Sequence, residues 1–254
     1  MSASDVTVEI GDDFIATVEI TRGPNNYFNP TVIADLADAF ERLDDDPRCR
    51  AIVLCSQGKH FCAGADFTGE MTEPGAAGRV YEHGVRLFET SVPVVAAVQG
   101  AAIGGGVGLA LAADFRVATP ASRFAANFSR LGFHQGFGIS ATLPHVVGHI
   151  KAAELLFSGR NVSGVEAKAI GLCDELAEPE ELRACARAFA GAFVESAPQA
   201  VRAIKHTLRR DLAERVRAIV GHELAEQTRL RRTEDFREGI RASSERRAPR
   251  FTGE

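Results

Sequence analysis

The chain has no long apolar run, no closely spaced cysteine pair and no excess of basic charge, and each absence removes a class of function. Its apolar stretches are short and interrupted by glycine, so none is long enough to cross a bilayer as a helix. The five cysteines (Cys49, Cys55, Cys62, Cys173 and Cys185) are odd in number and form no CxxC motif. That argues against a disulfide framework or a zinc site and fits a reducing cytoplasm. The opening segment MSASDVTVEIGDDF lacks the basic start and apolar centre of a signal peptide. A net charge of −5 and a pI of about 5.9 give no sign of nucleic-acid binding, which usually requires a basic face. A local basic patch for a phosphate-bearing ligand stays open. There is no Ser/Gly-rich linker and no internal repeat. What is present is 254 residues of ordinary globular composition, 45% hydrophobic and 25% charged, enough for one large domain or two small ones.

Residues 6–10 and 14–21 alternate apolar and polar around Gly11-Asp12-Asp13, which predicts a β-hairpin. Pro30 opens a helix carrying Val32, Leu36, Ala39, Phe40 and Leu43 at helical spacing. Residues 51–55, 94–98 and 115–118 are short apolar runs of the kind that form buried parallel strands, and helical segments lie between them. Residues 69–78 read as a mobile loop and 79–90 as an amphipathic helix. Beyond Phe137 the pattern is mostly helical, with helices expected near 137–147, 150–157, 164–170, 179–194, 197–209, 212–231 and 233–245. Ser163 and Glu166 have capping-box spacing. The division this suggests is a β-rich core over 1–190 and a helical region over 191–254 that packs on a neighbour.

Two strand-to-helix turns carry the chemical signal. One is Phe61-Cys62-Ala63-Gly64-Ala65-Asp66-Phe67, and the other contains Gly104-Gly105-Gly106. Small residues at such turns let the backbone approach a ligand. The first N–H groups of a helix have no intrahelical partner and favour negative charge. Two such groups aimed at one point stabilise a thioester oxygen as it becomes an enolate. A lone glycine triplet also serves plain helix–sheet packing. A phosphate cradle is the other reading, but GxxxxGK[ST] is absent and GxGxxG does not fit.

Taken together, FCAGADF (61–67) and AVQGAAIGGGVGLALAADF (97–115) resemble the enoyl-CoA hydratase/isomerase, or crotonase, superfamily. The resemblance continues through RLGF and LPHVVG, AKAIGLCDEL, and TEDFREGIRASSERRAPRF near the C-terminus, and covers essentially the whole chain. It implies an α/β fold, a crotonase-like spiral of ββα turns with a C-terminal helical region, assembled as a homo-trimer or a dimer of trimers. It also implies a lyase or isomerase of acyl-CoA and fatty-acid metabolism in the cytoplasm, with no metal and no separate cofactor, because coenzyme A enters as part of the substrate. Carried over position by position, Ala65 and Gly105 supply the two oxyanion N–H groups. The Ala63 carbonyl meets adenine, and Lys59, Arg247 and Arg250 meet the CoA phosphates. Asp66, Phe67, Gly104, Gly108 and Phe128 border the substrate. For Asp66 a structural cap is the competing role, and for the two arginines a solvated helix end.

The sequence departs from the family at the two positions where hydratases carry glutamates. They are Gly108 and Phe128 here. Adding water across an enoyl double bond requires a base for the water and an acid for the α-carbon, and neither residue transfers a proton. His134 and Gln135, in LGFHQGFG, are the nearest polar candidates for catalysis; the bland reading of His134 is a cap or a core histidine. Glu82 and His83 on the preceding helix read as a solvated face. Three functions follow as expectations: enolate chemistry with His134 or water (a retro-Claisen hydrolysis is one form), a non-catalytic acyl-CoA binder or carrier, and a slow hydratase using water held by Gln135.

Overall fold

The structure, a computed structural model, describes residues 4–66 and 69–254. In chain order the elements are β1 (Val6–Ile10), β2 (Ile15–Ile20), α1 (Pro30–Asp45), β3 (Ala51–Ser56), α2 (Ala76–Arg86), β4 (Val94–Val98), β5 (Ala101–Ile103), α3 (Gly105–Ala112), β6 (Phe115–Ala118), β7 (Arg123–Ala125), α4 (Ile139–Val147), α5 (His149–Ser158), β8 (Val162–Ser163), α6 (Gly164–Ala169), β9 (Glu175–Leu176), α7 (Leu182–Val194), α8 (Pro198–Leu230) and α9 (Glu234–Ser244). The strands form two sheets, ordered β1-β2-β3-β4-β6-β9 and β5-β7-β8. The β1–β2 hairpin is antiparallel, and β2, β3, β4, β6 and β9 run parallel. After β4 the chain turns at Gly100 into β5 of the second sheet and then into α3, and after β6 it turns into β7 before α4. These are successive ββα turns, stacked by parallel pairing.

Side chains that alternate along the strands divide between two cores. Ile52, Leu54 and Ala96 face the layer of helices α1 to α4. Ile15, Val53, Cys55, Val95 and Val117 face the opposite way and are covered by Leu182, Ala186 and Ala190 of α7. The expected strands and helices are present, but β5 and β7 to β9 carry no sequence signal because each is only two or three residues long. The segment expected as a loop over 69–78 holds a 3₁₀ turn at Gly69–Thr72 and the first residues of α2.

The two helices expected over 197–209 and 212–231 are one helix of 33 residues, α8. The stretch between them, Arg209-Arg210-Asp211, contains neither Gly nor Pro to interrupt a helix. Its first residue is instead a tertiary anchor. Asp114, at the end of α3, pairs with Lys205 at 2.7 Å and Arg209 at 3.1 Å, and accepts from the Val94 N–H at 2.8 Å. Lys205 also donates to the Val92 carbonyl at 2.6 Å. Burial pushes the Asp114 carboxyl up, but the two cations and their hydrogen bonds outweigh it and hold it below its ordinary value. Because the folded carboxyl binds a proton less readily than the unfolded one, its contribution is complete above the usual carboxylate range and is lost as pH falls through the folded value. Asp114→Asn is expected to cost about 3–5 kcal/mol, since it leaves the cations enclosed without their partner. Urea unfolding between pH 3 and pH 7 checks this; the gap between wild type and variant should close toward the acid end.

Candidate active site

The two glycine-bearing turns lie side by side. Cys62 pairs with Ala102 in an isolated parallel bridge, through Cys62 N–H to Ala101 O at 3.0 Å and Ile103 N–H to Cys62 O at 3.0 Å. The approach tolerates no side chain on the second turn. A Cβ on Gly106 would stand 2.2 Å from the Cys62 carbonyl oxygen, and one on Gly105 would stand 2.5 Å from the Phe28 ring. The first turn is held on its other side by Phe28, whose N–H donates to Gly64 O at 3.0 Å and whose carbonyl accepts from Asp66 N–H at 2.8 Å. Buried Asn26 adds hydrogen bonds to the Gln57 and His60 carbonyls, both at 2.6 Å.

This pairing determines which amides are left over. In a parallel bridge the partner bonds to the residues flanking the bridged one, so Phe28 engages Gly64 and Asp66 and leaves the Ala65 N–H without an acceptor among the described residues. Gly105 is the first residue of α3, and its N–H likewise has no acceptor, as expected of a helix start. Ala65 and Gly105 line the same cavity, of about 320 Å³.

The cavity is mostly apolar. Phe28, Met71, Val80, Ile103, Phe128, Leu131, Phe133 and Phe137 form much of the wall, with Ala63, Gly64 and Gly104 beside the two amides. No Asp, Glu or His is among the lining residues. The polar groups are Tyr27, Tyr81, Asn127, Gln227, Arg231, Ser243 and Ser244. The Tyr81 hydroxyl donates to Gln227 Oε1 at 2.7 Å, and Gln227 Nε2 donates to the His134 carbonyl at 3.0 Å. Burial, reinforced by the Glu223 carboxylate, pushes the Tyr81 phenol above its ordinary value, so it stays a neutral donor. Glu223, fully enclosed on α8, accepts from the N–H groups of Gly138 and Ser140 at 2.8 and 3.0 Å and so caps α4 from outside its own sequence.

The residues expected at the site divide into three groups. Ala63, Ala65, Gly104, Gly105 and Phe128 line the cavity, and the Ala63 carbonyl accepts no hydrogen bond among the described residues. His134 and Gln135 do not line it: His134 Nδ1 lies 2.7 Å from the Gln135 carbonyl, its ring meets His222 edge-on, and Gln135 Nε2 donates to Ser140 at 3.0 Å. Asp66 pairs with Arg22 at 3.0 Å and fixes the end of the first turn. Lys59 is exposed beside that turn. Arg247 is held by Glu238 and Glu245 at the surface, and the Arg250 N–H joins it on Glu238. Phe67 lies outside the described residues. Cys62 is enclosed, and burial pushes its thiol up to about 12, so it is no nucleophile.

Gly108 requires a correction. Expected to border the substrate, it is buried beneath Phe137 and does not reach the cavity. A Cβ on Gly108 would stand 2.8 Å from the Cβ of Phe137, and one on Gly84 would stand 3.3 Å from the tip of the same ring. Phe137 is therefore wedged between α2 and α3, at a positive φ of 62°, and packs against Phe28 with centroids 5.5 Å apart. The space above Gly108 is filled by an aromatic ring. Tyr81, Gln227 and Arg231 were not singled out from sequence. They occupy ordinary positions on amphipathic helices, and Gln227 and Arg231 are related only by an i, i+4 spacing that helix surfaces show everywhere.

Residues 11–254 match the family model described as enoyl-CoA hydratase/isomerase. A putative enoyl-CoA hydratase of Thermus thermophilus is 37% identical over 89% of this chain and 92% of its own length. The (E)-benzylidenesuccinyl-CoA hydratase of Thauera aromatica is 33% identical, covering 98% of this chain and 99% of that protein. Among solved structures, an enoyl-CoA hydratase/isomerase from Pseudoalteromonas atlantica superposes with a TM-score of 0.88 at 29% identity, covering 98% of this chain and 100% of the other. The solved structure shares the ββα spiral with its helical C-terminal region, the crotonase fold. With two unpaired turn amides on one apolar cavity and the match running through both turns, the chain belongs to the enoyl-CoA hydratase/isomerase family.

Proposed function

We propose that the protein binds an acyl-CoA thioester with its carbonyl oxygen on the N–H groups of Ala65 and Gly105, and stabilises negative charge there as the thioester takes on enolate character. The observation that carries this reading is the pair of amides without acceptors, one from each turn, on a single apolar cavity. Donors of this kind are typically worth about 3 kcal/mol each in a dry site. In this reading the Ala63 carbonyl meets the adenine and the exposed Lys59 meets a phosphate, supported by an Ala63 carbonyl that accepts no hydrogen bond among the described residues. The hydroxyls of Tyr27, Tyr81, Ser243 and Ser244, with water, are the proton carriers at the cavity wall. General acid–base groups usually contribute about 10²–10⁴ in rate, so hydration by this chain is expected to be slow relative to relatives that carry carboxylates. A binder or carrier without turnover is the second reading, favoured by the absence of Asp, Glu and His from the lining residues. The free, mostly buried cysteines suit a reducing cytoplasm.

We also propose a homo-trimer, alone or paired. Ile150 and Phe157 of α5 are 82% and 81% exposed, and Ile204 and Leu208 of α8 are 58% and 71% exposed. Each pair falls on one helix face, and faces of this kind are commonly covered by another subunit.

Three measurements test these readings. Difference infrared spectroscopy of hexanoyl-CoA labelled with ¹³C at the thioester carbonyl is expected to show a red-shifted carbonyl stretch on binding; an unshifted band excludes the two-amide site. Hydration of crotonyl-CoA is expected to rise at least about tenfold in Gly108→Glu combined with Phe137→Gly, relative to either single change. Phe137→Ala will not substitute, because it retains the Cβ that Gly108 faces. Phe157→Asp is expected to lower the molar mass seen by light scattering to that of a single chain; an unchanged mass removes this face from the assembly.

A further inference from the structure

The cavity contains one ionised side chain and nothing to neutralise it. Arg231, which caps the C-terminal end of α8, lines the cavity and is half-buried. Among the described residues it forms no ion pair, and its guanidinium makes no hydrogen bond. Its Nε is enclosed without an acceptor, and its Cζ lies 5.3 Å from the Phe133 ring centroid. Other enclosed arginines are treated differently. Arg116 reaches Asp174 and the carbonyls of Leu172 and Ala113. Arg209 has a buried Nε without a partner but binds Asp114. Arg50 likewise has a buried Nε without a partner, yet its guanidinium donates to the Val194 carbonyl and lies over the Phe14 ring. Keeping a cation against an apolar wall without a partner is unfavourable.

The groups around Arg231 do not satisfy it. Gln227, one turn earlier on α8, is committed at both ends of its amide, to Tyr81 and to the His134 carbonyl. Phe133 beneath the guanidinium stacks on Phe128 at 6.4 Å, and Phe128 lines the cavity together with Gly104 and Gly105. With the thioester oxygen on Ala65 and Gly105, the Phe128–Phe133 wall flanks the acyl chain. Arg231 is linked through Phe133 and Phe128 to the Gly104 turn, and no contact among the described residues ties it to Ala63 or Lys59 on the first turn. A planar guanidinium with free N–H groups is matched to a carboxylate, which it binds through paired charge-assisted hydrogen bonds.

From this unpartnered cation we infer that Arg231 receives a carboxylate carried by the acyl group, so that the protein selects thioesters of dicarboxylic acids over those of plain fatty acids. The inference rests on the acyl-CoA reading above and names the acyl class for the same site.

The test is calorimetric titration of the full-length protein with matched pairs of equal chain length, glutaryl-CoA against pentanoyl-CoA and adipyl-CoA against hexanoyl-CoA, with free CoA and dephospho-CoA alongside. At least one dicarboxylic member is expected to bind about tenfold or more tighter than its partner in the wild type. Arg231→Met should abolish that preference by weakening the dicarboxylic member more than its monocarboxylic partner, and Arg231→Lys should restore part of it. Circular dichroism and the melting temperature establish that the variants fold. Equal affinity within both pairs overturns the inference and leaves the acyl-CoA reading intact. So does an Arg231→Met variant that weakens free CoA as much as glutaryl-CoA but binds dephospho-CoA unchanged, which would assign the arginine to the nucleotide phosphate. Failure of every thioester to bind overturns the acyl-CoA reading and this inference with it.

Discussion

The short parallel bridge between Cys62 and Ala102 is the contact on which the rest of the site depends. It brings two segments from different sheet layers to hydrogen-bonding distance and leaves no space between them for a Cβ at Gly106. Because Phe28 grips the first turn from the opposite side, the Ala65 amide is turned toward the cavity rather than into the sheet. The Gly105 amide is free for a different reason, being the first residue of a helix. Neither amide requires a side chain of particular chemistry. The two amides are therefore specified by what small residues permit, and their polarity is that of the backbone.

Around that fixed point the long helix α8 ties several parts of the molecule together. Its first half is held to the end of α3 through Asp114, and its second half caps α4 through Glu223, braces Tyr81 through Gln227 and places Arg231 on the cavity. The charged and amide side chains that look like solvent-facing residues in the sequence are, in several cases, the enclosed ones: Lys205, Glu223, Gln227 and Glu238 are all buried. An enclosed charge is tolerated where it is paired or hydrogen-bonded, and three of these four have such partners in the neighbouring elements of the core. Glu238 instead collects Arg241 and Arg247, which hold its carboxyl well below the ordinary carboxylate range.

Much of this was legible in the sequence, and the limits have physical causes. The hairpin and α1 were readable because alternation and helical spacing persist over five residues or more, and β3, β4 and β6 because each is a short, mainly apolar run. Strands such as β5 and β7 are too short to hold a period, and they form because neighbouring turns pair with them. The two glycine-bearing turns that carry Ala65 and Gly105 were legible because close backbone approach demands glycine and alanine, and composition records that demand directly. The polar lining of the cavity was not. Tyr81, Gln227 and Arg231 meet there only through the packing of α2 and α8, and nothing local distinguishes an enclosed glutamine from an exposed one. His134 and Gln135 drew attention for the opposite reason: they are polar residues in a glycine-rich stretch, and their side chains make local contacts, His134 with the Gln135 carbonyl and His222, and Gln135 with Ser140.

The wedge of Phe137 over Gly108 bears on the history of the fold. The atom facing Gly108 is the β-carbon of Phe137 itself, so every residue except glycine at 137 obstructs a side chain at 108, however small. A carboxylate at 108 cannot be accommodated by one substitution, and trimming the ring does not open the route. Accommodating it requires loss of the aromatic first, with the packing between α2 and α3 left unfilled in the interval. The two positions behave as a ratchet: each residue is acceptable because of the other, and selection on either alone keeps both in place.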